Sequence, residues 1–255
     1  MGVIELFFEQ HLDICFITES WLRKNDKVKY AEFHEHKLEI LNRPRKGRGG
    51  GIGFIFNPQV LKLTVNNVRK YSSFEVSEAL LQGCSELIRL CVVYRSTQNT
   101  SKAKYEATKQ SKFFDEFSDY LDCLASKSGK PIIAGDFNFH LERHDDVITK
   151  QFVSLYEDKG FQQHILEPTH ISGGILDLVL TRCDIDDPKT GGDFQNVHVS
   201  DMIEVKNVSV IHDTGTTSDH YLVTLQMSLD VGTLDKPKCC TKTIREISLT
   251  YKSVV

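Results

Sequence analysis

The chain lacks the features that mark several large classes of protein. Its 255 residues carry a formal net charge of −4, so no overall positive field attracts nucleic acid. No apolar run is long enough to cross a membrane, and the first lysine or arginine is Arg23, so we expect no basic signal-peptide region at the N-terminus. Binding to a polyanion must therefore depend on local positive patches or on bound metal ions.

Cysteine pairs and common cofactor motifs are missing as well. The seven cysteines include no Cys-x-x-Cys pair, and Cys15 and Cys91 lie in apolar runs where a thiol packs as a small hydrophobe. This usage predicts a reducing, intracellular location, in the nucleus or the cytoplasm. The glycine-rich run at 47–53 fits neither phosphate-binding pattern, and His140 and His144 are spaced as H-x-E-x-H rather than H-E-x-x-H. We therefore expect no small organic cofactor and no membrane association.

What the chain does contain is the composition of a globular α/β protein. Hydrophobic residues make up 40% and charged residues 26% of the chain, which is enough to bury a sizeable core. Apolar periodicity predicts helices at 4–11, 112–124 and 146–158, and strands at 12–19, 51–56, 61–65, 75–82, 86–94, 131–134, 175–180 and 221–227. Strict βαβ alternation is absent, which argues against a simple dinucleotide-binding fold. We expect one domain over residues 1–230 and a polar tail or linker over 231–255.

Polar side chains recur where predicted strands end. The run PIIAGDFNFH, residues 131–140, passes from an apolar strand to Asp136 and Asn138, and loop residues at such a rim often contact ligands. Similar groups are Thr18-Glu19-Ser20, Tyr94-Arg95-Ser96 and Ser218-Asp219-His220, and Asp177 interrupts the apolar run 175–180. Each has a structural alternative: a turn at Asp136, a solvated strand end at Glu19, a helix cap at Ser218, or backbone bonds to Asp177. Five clusters with equivalent placement favour a shared site.

In this order the motifs resemble the endonuclease/exonuclease/phosphatase superfamily. The segments 13–22 (DICFITESWL), 49–54 (GGGIGF) and 175–181 (ILDLVLT) are similar, more narrowly, to the apurinic-type endonuclease domain of non-LTR (LINE-type) retrotransposons. The resemblance extends from about residue 4 to residue 228. It implies a four-layer α/β sandwich, two packed mixed β-sheets flanked by helices, with a cleft at one edge.

The resemblance also implies catalytic roles in phosphodiester hydrolysis. Asp136 would orient and deprotonate the attacking water, and Asn138 would bind the phosphate or the same water. His220 would donate a hydrogen bond to a non-bridging oxygen while Asp177 fixes its tautomer. Tyr94 would be a phenolic donor to the phosphate. Because an acid in an apolar strand needs a partner, we predict a contact between Asp177 and His220.

Metal and DNA contacts follow from the same resemblance. Glu19 and Asp219 would lie at a divalent cation, Mg²⁺ or Mn²⁺, since carboxylate oxygens suit these ions. The DNA backbone would meet the basic cluster, which is otherwise a solvated loop. That cluster consists of Arg43, Arg45, Lys46 and Arg48. A reverse transcriptase domain encoded downstream would be a further partner.

One expected feature of the family is missing from these residues. The resemblance implies a first strand that carries an asparagine, yet no asparagine occurs before Asn25. We therefore expect a truncated N-terminus, an unpaired position within one sheet, and weak or absent activity, so whether the chain is an active enzyme is left open. Two alternatives to a DNA endonuclease are an inactive remnant that serves as a binding domain, and a phosphatase acting on phosphoinositides or small phosphodiesters.

Overall fold

The computed structural model describes residues 2–44, 50–82, 87–96, 103–182, 203–213, 215, 218–229 and 242–249. Its helices are α1 Val3–Glu9, α2 Lys27–Glu35, α3 Ala103–Ala125 and α4 Val147–Glu157. Its strands are β1 Ile14–Ile17, β2 Glu39–Arg43, β3 Ile52–Phe56, β4 Leu63–Asn66, β5 Glu75–Gln82, β6 Leu87–Tyr94, β7 Lys130–Asp136, β8 Phe161–Gln163, β9 Asp177–Arg182, β10 Glu204–Ile211, β11 Leu222–Leu229 and β12 Lys242–Leu249. In this part of the chain, no helix is both long and apolar enough to span a lipid bilayer.

The strands form two six-stranded mixed sheets. Sheet A has the order β10-β11-β12-β1-β3-β2, and sheet B has the order β4-β5-β6-β7-β9-β8. Most neighbouring strands are antiparallel, but β1 and β12 run parallel in sheet A, and β6 and β7 run parallel in sheet B. The prediction of a layered α/β fold with two packed mixed sheets is confirmed.

The alternation of side chains in β1 shows how the layers pack. All four residues of this strand are buried. Ile14 and Phe16 belong to the large core between the sheets, while Cys15 and Ile17 face the smaller core that α1 and α2 cover. A strand that is covered on both faces appears in the sequence as a continuous apolar run, and this is why its position was predictable.

An aromatic cluster covers the other face of sheet B. On α3, Phe113 and Phe117 stack at 5.2 Å between ring centroids, and Phe152 of α4 lies 5.9 Å from each. These fully buried rings account for the i, i+4 apolar pattern of α3. Together with α1 and α2 on sheet A, they complete the four layers.

The C-terminal strand differs from the sequence expectation. Within the segment expected to be a polar tail, Lys242–Leu249 forms β12, which lies between β1 and β11 and pairs with both. The expected unpaired position within the sheet is therefore filled. The physical reason is that β1 and β11 would otherwise each leave a row of buried N–H and C=O groups without partners. Ile244, Ile247 and Leu249 give this short segment the strand propensity it needs.

Candidate active site

Three polar residues lie side by side at the ends of three neighbouring strands in the interior of sheet B. Asp136 ends β7, and the strand register places Tyr94 of β6 on one side of it and Asp177 of β9 on the other. Residues that pair across neighbouring strands project from the same face of a sheet. All three are nearly buried, with exposed fractions of 4%, 2% and 6% for Tyr94, Asp136 and Asp177.

The turn that follows β7 fixes Asp136 and Asn138 to each other. The Asp136 carboxylate accepts the Asn138 backbone N–H at 3.0 Å and its Nδ2 at 2.9 Å. Asn138 is in the left-handed region with φ 52°, and its Nδ2 also donates to the carbonyl of Arg95 at 2.7 Å. Gly135 must precede this turn, because a Cβ on it would lie 1.9 Å from the carbonyl oxygen of Val93.

The two phenylalanines of the motif anchor the turn from behind. Phe137 and Phe139 are buried in the aromatic cluster under α3 and α4. The Arg95 guanidinium lies 4.2 Å from the Phe139 ring centroid and donates to the carbonyls of Phe137 and Asn138 at 3.3 and 3.2 Å. The alternation D-F-N-F therefore directs polar groups to the cleft and aromatic groups to the core.

Asp177 contacts His220, as predicted. The Asp177 Oδ2 to His220 Nδ1 distance is 2.8 Å, and both side chains are less than a tenth exposed. Because a carboxylate only accepts, Nδ1 carries the hydrogen and Nε2 is the nitrogen left for other contacts. The Thr169 hydroxyl, fully buried, accepts the backbone N–H groups of Leu176 and Asp177 at 3.0 Å each, which holds the start of β9 in place.

Asp219 lies beside two histidines. Its Oδ2 is 3.4 Å from Nε2 of His170, and the His170 and His220 rings are 4.9 Å apart, edge to face. In the part of the chain that the structure describes, these three residues are the one group of three acidic, histidine or cysteine side chains whose ligand atoms lie within 4.8 Å of one another. Glu19, the other predicted metal ligand, is outside this group.

Glu19 lies on the sheet A side of the cleft. It follows β1 with φ 50°, and it accepts hydrogen bonds from the Tyr94 hydroxyl and, at 3.5 Å, from Nε1 of Trp21. Burial, followed by the bond to Glu19, raises the pKa of the Tyr94 phenol far above its usual value. Tyr94 therefore remains protonated, and its hydroxyl hydrogen is directed at Glu19.

The electrostatics of the cleft raise the pKa of Asp136 to about 8. Burial is the largest cause, because it penalises the charged carboxylate, and the charge of Asp177 adds to it. His220 opposes these effects, while Glu19 contributes in the same direction as Asp177. An acid with this pKa can bind or release a proton near neutral pH.

The structure thus brings six of the predicted residues around one cleft and relates Asp219 to them through His220. The basic cluster is different. Arg43 donates to the carbonyl of Val76 in sheet B, which is a contact between the sheets, and Arg45, Lys46 and Arg48 lie outside the described residues. His140 contacts Glu142 at 2.7 Å.

Sequence reasoning did not find Thr169 and His170. Both lie in the loop before β9, and a backbone bridge pairs His170 with His220. A threonine and a histidine within a polar loop carry no periodic signal, so nothing in the chain alone marks them. Arg95 was visible as part of a polar strand end, but its stacking on Phe139 was not.

Comparisons with known proteins agree with this fold. Residues 2–220 match the Endonuclease/Exonuclease/phosphatase family. No curated protein sequence matches the chain. Among solved structures, the catalytic domain of Xenopus laevis APE2 is similar with a TM-score of 0.63 and 10% identity, over 92% of this chain and 90% of that one.

Two further structures are similar over 86% of this chain and 90% of their own. One is the 3′ phosphatase NExo from Neisseria bound to a product DNA hairpin, with a TM-score of 0.56 and 17% identity. The other is an AP endonuclease from Archaeoglobus fulgidus, with a TM-score of 0.56 and 16% identity. At these identities the likeness establishes the fold alone. The family match covers most of the chain, and the chain belongs to the endonuclease/exonuclease/phosphatase family.

Proposed function

We propose that this chain hydrolyses phosphodiester bonds in DNA with a divalent cation, as an endonuclease domain of the non-LTR retrotransposon type. The observation that carries the proposal is the pair Asp177–His220 beside Asp136 and Asn138 on adjoining strands. The retrotransposon type is supported by the segments 13–22, 49–54 and 175–181. DNA as substrate is supported by the similar Neisseria 3′ phosphatase, which was solved with a product DNA hairpin.

Asp136 is the base in this mechanism. It accepts a proton from the water that attacks phosphorus, and its pKa near 8 suits proton transfer close to neutral pH. Both N–H groups of the Asn138 amide are engaged, one by Asp136 and one by the Arg95 carbonyl. Its Oδ1 is therefore the atom that can accept a hydrogen bond from the attacking water. Of the two roles predicted for Asn138, the geometry favours water over phosphate.

His220 acts on the phosphate. With Nδ1–H donated to Asp177, a second proton on Nε2 can be donated to a non-bridging oxygen as negative charge develops there. The buried Asp177 carboxylate favours the doubly protonated imidazolium and keeps the ring in one orientation. Tyr94 acts indirectly, since its hydroxyl orients Glu19.

The residues of the cleft fit a divalent cation such as Mg²⁺ or Mn²⁺. Glu19 and Asp177 both raise the pKa of Asp136, so three carboxylates share one cleft, and hard oxygen donors suit these ions. Glu19 would hold the cation, with Asp219 as a second candidate ligand. When bound, the cation neutralises charge on the phosphoryl oxygens.

Nicking of supercoiled plasmid, with and without Mg²⁺, tests the proposal. We expect conversion to open circles that depends on Mg²⁺ and that falls at least about 10³-fold in Asp136→Asn, because the base is lost. Asp145→Asn removes a fully exposed acid and is the matched control.

The comparison between the two variants decides the outcome even for a slow enzyme. Equal rates for the wild type and Asp136→Asn would reject the proposal and favour an inactive remnant. Release of phosphate from a phosphoinositide, without plasmid nicking, would instead assign the site to small phosphodiesters.

A further inference from the structure

Trp21 combines high exposure with a strained backbone. It is the one tryptophan in the chain, its side chain is 49% exposed, and its φ of 53° lies in the left-handed region. That region is an outlier for a bulky residue and costs about 1–3 kcal/mol. Strain of this kind persists where the surrounding structure holds it, and it is common at ligand sites.

The loop around Trp21 is held by hydrogen bonds at successive positions. The backbone N–H groups of Ser20 and Trp21 donate to the carbonyls of Gly51 and Gly50 at 2.9 and 3.0 Å. The Ser20 side chain is fully buried and donates to Asn42 Oδ1 at 2.7 Å. Gly51 has to be glycine, because a Cβ there would lie 2.5 Å from the Ser20 hydroxyl oxygen. The loop therefore presents the indole from a rigid support.

The indole lies at the rim of the cleft. Its Nε1 donates to Glu19 at 3.5 Å, and Glu19 accepts the hydroxyl of Tyr94, which pairs in register with Asp136. The contact with Glu19 fixes the orientation of the ring while leaving half of the side chain open to solvent. A phosphate placed between Glu19 and Asp136 would therefore lie near the indole.

We propose that Trp21 is a stacking platform for a nucleobase beside the scissile phosphate, and that the preferred substrate is a strand with an unpaired base at that position. The inference rests on the proposed function and adds a substrate class to it. A base inside a duplex has both faces covered by its neighbours, so it can stack on a side chain only when it is unpaired, terminal or displaced.

The expected energy is large enough to measure. Stacking of one base on an aromatic side chain contributes about 1–3 kcal/mol, which corresponds to roughly a 5-fold to 150-fold change in affinity. A pre-oriented indole loses little entropy on binding, since its loop is already fixed. Every base has a face that can stack, so the contact selects unpaired structure rather than sequence.

Binding is measured on the non-cleaving Asp136→Asn chain with Mg²⁺ and single-stranded oligonucleotides. In one series, a tetrahydrofuran abasic unit replaces the nucleoside at each position in turn. Because Trp21 is the sole tryptophan, fluorescence reports on it directly. We expect the intact strand to quench the emission, and one abasic position to restore the emission and weaken binding at least 5-fold.

Variants separate stacking from a merely structural role. In the Asp136→Asn background, Trp21→Ala should bind every strand of the series with the same affinity, which should be weaker than that of the intact strand for the Trp21 chain. Trp21→Phe should keep most of the dependence of affinity on the abasic position. Both affinities are measured by the anisotropy of labelled DNA. In the active chain, Trp21→Ala should raise KM with little change in kcat. Phe8→Ala, which removes another aromatic side chain of similar exposure, 47%, should change neither quantity.

The outcomes distinguish this inference from the proposed function. Two results would overturn the stacking role and leave the nuclease assignment intact. One is plasmid nicking that is unaffected by Trp21→Ala. The other is tryptophan quenching that is the same wherever the abasic unit stands in the strand. Position-dependent quenching in a chain that never nicks DNA supports stacking and rejects the nuclease. Tighter binding to a fully paired duplex than to single strands would also overturn the inference.

Discussion

Sheet B buries acidic side chains in two places, and the charged side chains around them differ. Glu78 on β5 is fully buried and contacts Arg89 at 3.0 Å, Lys127 at 3.4 Å and the Asn66 amide at 3.0 Å. Asp136, at the end of β7, is almost as deeply buried. The carboxylates of Asp177 and Glu19 raise its pKa, and His220 opposes them only in part.

The difference separates a structural acid from a functional one. A buried charge that is paired with cations and hydrogen bonds is tolerated within a core. A buried acid that faces other acids opposes folding, and natural proteins accept such costs mainly at functional sites. The electrostatics also give Asp136 a chemical use, because burial and the charge of Asp177 raise its pKa to about 8 and it can exchange a proton near neutral pH.

The largest effect is expected from Asp177→Asn. An amide at this position carries no negative charge to stabilise a His220 ring with hydrogens on both Nδ1 and Nε2, so the donation from Nε2 to a phosphate oxygen is weakened. We expect plasmid nicking to fall about 10³-fold, or about 4 kcal/mol, with little change in thermal stability. Nicking that is reduced less than 10-fold would show that the Asp177–His220 pair is structural, like Glu78 and Arg89.

Removing a partner of Glu78 should lower the stability of the fold rather than the nicking rate. Arg89→Ala leaves Glu78 buried with one partner fewer, and we expect a loss of about 3 kcal/mol in the free energy of unfolding, measured by urea denaturation. The matched control is Arg143→Ala, because Arg143 forms an exposed ion pair with Glu142 at 3.5 Å that should contribute less than about 1 kcal/mol. Equal losses for the two variants would contradict the distinction.

The two groups also differ in how far they could be predicted. Asp136, Asn138 and His220 were visible because each follows or precedes an apolar run, and Asp177 because an acid within such a run needs a partner. Glu78 lies within a correctly predicted strand, but its partner Arg89 comes from the neighbouring strand, and that pairing depends on a register that no local pattern specifies.

The fold shows the same limit. Strands β3, β5 and β6 were predicted closely because they are buried, whereas α2 buries Phe33 alone and so lacks an apolar face. The position of β12 depends on the unpaired edges of β1 and β11, which are features of the assembled sheet. The local apolar pattern predicts helices and strands whose own side chains are buried. It does not predict a strand whose position depends on hydrogen bonds to strands that are distant in the sequence.

The effect of burying Asp136 on the free energy of unfolding can be measured from its dependence on pH. The pKa of Asp136 is raised to about 8 in the folded chain, so the native state holds a proton that the unfolded state releases near pH 4. Stability is therefore present at low pH and lost as pH rises toward 8. Asp136→Asn, which cannot ionise, should gain about 3 kcal/mol relative to the wild type between pH 5.5 and pH 8.5.

This gain is measured as the difference in urea midpoints, in buffer with EDTA. Asp145→Asn removes an exposed carboxylate and should give a difference that is flat with pH. A flat difference for Asp136→Asn would mean that Asp136 is not penalised by burial, and the contrast with Glu78 would lose its basis.

The smallest effect concerns a third acid, which is stabilised by hydrogen bonds rather than cations. Glu116 of α3 accepts the backbone N–H and the hydroxyl of both Ser72 and Ser73, at 2.7–2.9 Å. Its partial burial opposes ionisation, but these bonds outweigh it and lower the pKa of Glu116 to about 2. Asp136 also accepts hydrogen bonds, yet its pKa rises, so burial among other acids decides the direction.

Glu116→Gln tests that interpretation. The amide keeps one acceptor oxygen, so we expect a loss of about 1 kcal/mol at pH 6. Because the folded pKa lies below the unfolded value, the stabilisation by Glu116 is present above about pH 4.5 and is lost as pH falls toward 2. The deficit of the variant should therefore shrink between pH 6 and pH 3.5, while Asp115→Asn, exposed on the same helix, should show no such trend. A deficit that stays constant with pH would mean that packing, and not the charge of Glu116, holds Ser72 and Ser73 against α3.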